Sequence, residues 1–173
     1  ADLTDLDVLD LVGRAPVKHD MMLARDAIRG KRILVTGAAG SIGSRLVAQL
    51  HVLEPEVVVC VDRSEAGMFH LGRALGDIPN ISLEIADVQS AERIGQLMRQ
   101  YTPDIVFHVA AYKHVPLMQD NVVEAFNNNV WGTLNVMRSA AEAGVPRAVY
   151  VSTDKAVNPT NVMGATKRLG ELL

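Results

Sequence analysis

Apolar residues along this chain fall into two patterns that take turns. Short stretches rich in apolar residues at Arg32–Thr36, Val57–Val61, Ile81–Ile85, Asp104–Val109 and Arg147–Val151 read as strands. The run Val57-Val58-Val59-Cys60-Val61 has no polar alternation, as expected of a strand buried on both faces. Between the runs, apolar residues recur at helical spacing. Over Ser41–Leu53 that spacing places Ile42, Leu46, Val47 and Leu50 on one face. Ser64 and Ser90 stand where a hydroxyl caps a helix, the first running to Leu75 and the second ending before Pro103. Val122–Ala143 reads as one long helix closed by Gly144 and Pro146. Asn161 opens a last helix that runs to Leu173.

Strands alternating with helices predict an α/β fold. We expect a Rossmann-like, doubly wound parallel sheet with right-handed crossovers and strand order 3-2-1-4-5. Ligands of such sheets sit at the carboxyl ends of strands 1 and 4. Residues 1–30 break the rhythm. They hold Asp2, Asp5, Asp7 and Asp10, then Gly13-Arg14-Ala15-Pro16, then a weak helical pattern through Met21, Leu23 and Ile28. We read 1–30 as a lead-in segment, or a linker, and 31–173 as the domain.

Composition narrows the classes. The chain has 173 residues, 49% of them apolar, enough for one domain or a piece of a larger one. A net charge of -3 argues against a nucleic-acid partner. Aromatic residues make up 4%, which speaks against a base-stacking platform. The single cysteine, Cys60, excludes an intramolecular disulfide and fits a reducing compartment. No apolar run approaches the ~20 residues of a membrane span. No metal site is expected. The first residue is Ala, so a longer parent protein is expected.

The segment Thr36-Gly37-Ala38-Ala39-Gly40-Ser41-Ile42-Gly43 joins the first strand to the first helix of the domain. It is a variant of the three-glycine dinucleotide fingerprint. Gly37 allows the tight turn, Gly40 the approach of backbone to a pyrophosphate, and Gly43 close packing of helix on sheet. Amides at Ala39, Ser41 and Ile42 then face the anion. Asp62, at the end of the second strand, is placed to accept both hydroxyls of an adenosine ribose and to repel a 2′-phosphate. This favours NAD over NADP. Arg63 offers the opposite partner, a cation for that phosphate, and Asp62 has helix capping as its plainer role. Asp87-Val88 meets the adenine edge or forms a simple turn. Small residues at Ala110-Ala111 let backbone run beneath the cofactor, while His108 reads as a packed structural histidine.

The most specific stretch follows the fifth strand: Ser152-Thr153-Asp154-Lys155-Ala156-Val157-Asn158-Pro159-Thr160-Asn161-Val162-Met163-Gly164-Ala165-Thr166-Lys167. Together with Thr36–Gly43, Ala110-Ala111-Tyr112-Lys113-His114-Val115-Pro116-Leu117, Asn129-Val130-Trp131-Gly132-Thr133 and Leu11-Val12-Gly13-Arg14-Ala15-Pro16, it resembles the extended short-chain dehydrogenase/reductase superfamily. More closely, the chain is similar to the nucleotide-sugar 4,6-dehydratases of capsule, O-antigen and protein-glycan synthesis, which act on UDP-N-acetylglucosamine.

The resemblance implies roles. Asp154 would be the acid at sugar C6 and Lys155 the base at C5, with Thr153 hydrogen-bonding the reacting hydroxyl and Ser152 orienting the strand end. Burial and the charge of Lys167 are expected to make Lys155 neutral. Lys167 would hold the nicotinamide ribose and add a positive field. Met163 occupies the position of the superfamily's usual tyrosine, as in the large, membrane-linked branch of the dehydratases. A thioether carries no proton, so the base for the C4 hydroxyl is left open, a bound water being one option; locally, Met163 reads as a core residue. Lys113 meets substrate or is a surface lysine. Asn158 and Asn161 touch the sugar or shape the turn around Pro159. Asn129 supports the active-site backbone through a water or caps groups within its helix.

The resemblance also implies a carboxyl-terminal substrate domain beyond residue 173, amino-terminal membrane helices in the parent protein, a cytoplasmic location and a homo-oligomer packed through the helices from Val122 and Asn161. A 4-epimerase or reductase on the same scaffold, and a non-catalytic dinucleotide sensor, are the competing readings. Asp154-Lys155 argues against the epimerase, which needs no acid at C6.

Overall fold

The computed structural model describes residues 21–173. The acidic start and Gly13-Arg14-Ala15-Pro16 lie outside the described residues. Helix α1, Met21–Ile28, carries the weak pattern expected there and buries Ile28 against the domain. Its Arg25 and Arg29 both pair with Glu54, Arg29 Nε at 3.2 Å.

Strands β1 (Arg32–Thr36), β2 (Val57–Asp62), β3 (Ile81–Ile85), β4 (Ile105–His108) and β5 (Arg147–Tyr150) form a parallel sheet in the order β3-β2-β1-β4-β5. This is the expected order. Register pairs Thr36 with Val61 and with His108, so the carboxyl ends of β1, β2 and β4 finish level. Both faces of the central strands are covered, while the edge strands β3 and β5 stay largely exposed. Ile33, Val35, Val58 and Cys60 pack beneath α2 (Ser41–His51) and α3 (Glu65–Leu75), while Leu34, Val59, Val61 and Val106 pack against α4 (Ala91–Tyr101) and α7 (Gly132–Glu142). Ile33, Leu34 and Val35 are almost fully buried, and burial of each contributes roughly 1.5–3 kcal/mol. Burial also pushes the Cys60 thiol up to about 12, leaving it an apolar filler.

The serine caps are where the pattern put them. Ser64 Oγ accepts from the Gly67 amide at 3.1 Å, and Ser90 Oγ from the Arg93 amide at 3.4 Å. Strand ends differ slightly. β4 begins at Ile105, and Asp104 just before it bonds Arg32 twice: its amide donates to the Arg32 carbonyl at 2.7 Å and its carboxylate accepts from the Arg32 amide at 2.8 Å.

The long helix expected over Val122–Ala143 runs without a gap from Val122 to Glu142, but it is not α-helical throughout. Helix α5 (Val115–Asp120, with Pro116 in its first turn) precedes it, and α6 (Val122–Phe126) gives way to a π-helical turn, Asn127–Trp131, before α7 begins. The wider turn buries Asn128, Asn129 and Val130. A third apolar cluster, Met118, Ala125 and Met163, ties this region to α8 (Val162–Glu171). Among the described residues no helix is long and apolar enough to cross a membrane.

Candidate functional site

The glycine turn is shaped by close approach. Gly37 has φ +69°, and a Cβ there would lie 2.6 Å from the Ala110 backbone. A Cβ on Gly43 would lie 2.0 Å from the Gly37 carbonyl oxygen. Both positions exclude any side chain. Gly40 caps α2 in an extended conformation with no side-chain hydrogen bond to the first-turn amides. Such a helix start is a ready anion site.

A cleft of about 220 Å³ opens over this turn. Gly37, Gly40, Ser41, Ile42, Gly43, Asp62, Arg63, Asp87, Val88, Ala110, Ala111 and Lys113 line it. Ala39 is set back from the wall, its amide donating to Asp62 Oδ2 at 3.1 Å. Asp62 Oδ1 accepts from the Ser64 amide at 3.0 Å, so this carboxylate fixes the turn and the start of α3 while facing the cleft. Lys113 Nζ reaches Ser41 Oγ at 3.4 Å, which puts an ammonium over the glycine turn. The cleft fits a dinucleotide: a cradle with no room for side chains, uncapped amides, a carboxylate one strand away.

Tyr112 and Asn128 also line the cleft and were missed in the sequence. The signal lay in Asn127-Asn128-Asn129, three amides within an otherwise helical stretch. Asn129 is buried and completely satisfied. Its Oδ1 accepts from the Tyr112 amide (2.8 Å) and Asn128 Nδ2 (3.0 Å), while Nδ2 donates to the Tyr112 carbonyl (3.0 Å) and Thr166 Oγ1 (3.0 Å). It holds the backbone after β4 directly, with no intervening water. Tyr112 in turn carries the Arg63 guanidinium 4.6 Å above its ring centroid.

His108 is a packed histidine, 0% exposed. Thr133 Oγ1 donates to the Asn129 carbonyl at 2.6 Å, so it accepts from His108 Nε2 at 3.0 Å. Nδ1 is then the acceptor for the Thr36 hydroxyl at 2.7 Å, and Thr36 accepts from the Ala110 amide at 3.4 Å. Burial, with the charge of Lys167, pushes the imidazole down to about 3. The ring is neutral and committed at both nitrogens.

The residues after β5 form a short 3-10 turn, Asp154–Ala156, capped by Thr153. Thr153 Oγ1 donates to Asp154 Oδ1 at 2.9 Å, and Lys155 Nζ lies 3.4 Å from the same oxygen. The hydroxyl of Thr153 and then the ammonium of Lys155 hold the Asp154 carboxyl below its usual range. The expectation of a buried Lys155 is corrected: its side chain is 50% exposed and that of Asp154 86% exposed. Neither lines the glycine-turn cleft. Lys167 is the buried one, 4% exposed. Its Nζ donates to the Val151 carbonyl at 2.7 Å and sits 3.9 Å over the Tyr150 ring, and burial brings it down to about 8. Ser152 Oγ donates to Glu171 Oε1 at 2.5 Å, fastening the strand end to α8. Met163 packs with Met118 and Ala125. Asn161 Oδ1 caps α8 through the Gly164 amide at 2.8 Å, and Asn158 has φ +49°, so both shape the turn around Pro159.

Residues 33–173 match a family described as polysaccharide biosynthesis protein. The chain belongs to that family. Among its relatives, the capsular polysaccharide biosynthesis protein CapD of Staphylococcus aureus is 44% identical over 99% of this chain and 29% of its own length. The UDP-N-acetylglucosamine 4,6-dehydratase (inverting) of Campylobacter jejuni is 36% identical over 83% of this chain and 42% of its own. The chain thus spans less than half the length of these relatives. Among solved structures, the dTDP-glucose 4,6-dehydratase DesIV from Streptomyces venezuelae, with NAD bound, superposes with a TM-score of 0.76 at 28% identity, over 82% of this chain and 49% of that one. Pen from Bacillus thuringiensis superposes with a TM-score of 0.80 at 36% identity, over 84% and 44%.

Proposed function

We propose that residues 31–173 form the NAD-binding half of a nucleotide-sugar 4,6-dehydratase that acts on UDP-N-acetylglucosamine in polysaccharide or glycan biosynthesis. The observation that carries this reading is the Asp154–Lys155 pair on the turn after β5, at the same end of the sheet as the glycine cradle. The names of the family relatives support it.

Gly37 to Gly43 would hold the pyrophosphate, with Lys113 adding positive charge there. Asp62 would take the adenosine ribose, Asp87 and Val88 the adenine edge, and Lys167 the nicotinamide ribose. When bound, NAD supplies hydride acceptance at sugar C4 and hydride return at C6. Everything else is proton handling by this chain. Oxidation at C4 acidifies the C5 hydrogen. Lys155, as a free amine, would remove that proton, and Asp154, as a carboxylic acid, would protonate the departing C6 hydroxyl, which leaves as water; as hydride returns to C6, the protonated Lys155 would give a proton back to C5.

The ion pair is the unreactive arrangement, with the proton on the wrong partner. Moving one proton from Lys155 Nζ to Asp154 Oδ1 across their 3.4 Å separation creates base and acid together with no change in net charge. Burial disfavours both charged forms, so a sugar that covers the exposed turn drives this transfer.

The test is incubation of the full-length protein with UDP-N-acetylglucosamine in heavy water, followed by mass spectrometry of the product. Loss of one water with gain of one carbon-bound deuterium is expected. Unchanged substrate overturns the assignment, and an isomer of unchanged composition moves it to a 4-epimerase.

A further inference from the structure

The cation beside Asp62 raises a question that the ribose-binding carboxylate alone does not answer. Arg63 immediately follows it, lines the same cleft, and is a ready partner for a 2′-phosphate. A free guanidinium there would offset the repulsion exerted by Asp62. In this structure it is not free. Arg63 Nη1 lies 3.5 Å from Asp87 Oδ2, and its guanidinium rests on the face of Tyr112. Each holding residue is itself held. Asp87 Oδ1 accepts from the Gln89 amide at 2.9 Å, and the Tyr112 backbone is gripped at both N–H and C=O by Asn129.

We propose that Asp87 is a specificity-determining residue that rejects NADP by occupying Arg63. This rests on the dinucleotide reading of the cleft. Asp87 does so in addition to any contact with adenine. Its carboxylate and the Tyr112 ring engage the guanidinium from two sides, so a 2′-phosphate must break an ion pair and a cation–π contact to recruit it. A monoester phosphate carries about −1.5 to −2 charges near neutral pH. It would meet Asp62, Asp87 and one neutralised arginine. A ribose with a free 2′-hydroxyl asks nothing of Arg63 and leaves the arrangement intact.

A four-protein cycle tests this: the unaltered protein, Asp87→Asn, Arg63→Gln and the double variant, each titrated calorimetrically with NAD+ and NADP+. Asparagine keeps the acceptor that holds the Gln89 amide, so the turn survives. Asp87→Asn is expected to raise NADP+ affinity relative to NAD+ about tenfold, the equivalent of one freed charge-assisted contact. Adding Arg63→Gln is expected to abolish that gain. A gain that persists in the double variant overturns the proposal, because Asp87 would then act by its own charge. An unchanged ratio in Asp87→Asn overturns it as well. Binding of neither dinucleotide to the unaltered protein instead sinks the cofactor reading on which it stands.

Discussion

Two turns at the carboxyl edge of one sheet are built in opposite ways. The Gly37–Gly43 turn is defined by backbone packed on backbone, with no space for a single extra carbon at Gly37 or Gly43. The Thr153–Lys155 turn is defined by side chains bonded to one another, with Asp154 and Lys155 facing water. The first is finished before any ligand arrives. The second holds its groups in an ion pair whose proton, on the proposed reading, would have to move before chemistry starts. If the two turns serve as proposed, a rigid cofactor cradle and an unfinished acid–base pair would be different solutions to one demand: bind tightly, yet keep reactive groups quiet until substrate covers them.

The contrast can be broken most forcefully at Lys155. Lys155→Ala should lower dehydration by the full-length protein about a hundredfold to ten-thousandfold, the usual worth of a general base. Its melting temperature should stay put, because the side chain is exposed. Normal turnover in that variant would remove the chemistry from this turn. Gly43→Ala should do the reverse. Forced against the Gly37 carbonyl, it should destabilise the fold by about 1–3 kcal/mol and suppress NAD+ binding, as other overpacked sites do. Calorimetry and thermal melting read both effects.

Acid should separate the turns further. The folded His108 is held down to about 3 and the unfolded residue titrates at its ordinary 6.5. Below pH 6.5 the unfolded state therefore binds a proton that the native state refuses. Stability present above that pH falls as the medium is acidified towards pH 3, with a limiting slope of about 1.4 kcal/mol per pH unit from this one group. Denaturant melts of the unaltered protein and His108→Gln across that range should diverge by this slope. The smallest effect belongs to Met163. Met163→Leu keeps volume within the cluster of Met118 and Ala125, so it should cost less than about 1.5 kcal/mol. Turnover should hold near its original rate; a collapse would place the thioether in the reaction.

The sheet was legible because each strand is a short stretch rich in apolar residues, alternating with polar ones in β3, with turn residues at both ends, and parallel pairing follows from alternation with helices. Ser64, Ser90 and Asn161 announced their helices because a short polar side chain at that position has a backbone amide to satisfy. The cradle was legible for a related reason: glycines spaced between a strand and a helix mark close approach. The widening of the helix at Asn127–Trp131 was not legible. A π-helical turn adds one residue without disturbing the apolar spacing on either side, so Val122–Ala143 reads as continuous. Tyr112, quoted only as part of a motif, was given no place in the cleft because its position depends on Asn129, which is distant in sequence and aimed by that same turn. Lys155 misled because sequence indicates which residue types adjoin but not how much water reaches them.

The relay Ala110–Thr36–His108–Thr133–Asn129 has a consequence for timing. It engages both His108 nitrogens and both threonine hydroxyl protons, and it spans the ends of β1 and β4 and the π-helical turn. The Nε2 proton of His108 can trade with solvent only when these elements part. In a nuclear magnetic resonance spectrum that proton is a slow clock, and its exchange rate counts how often the floor of the cleft opens.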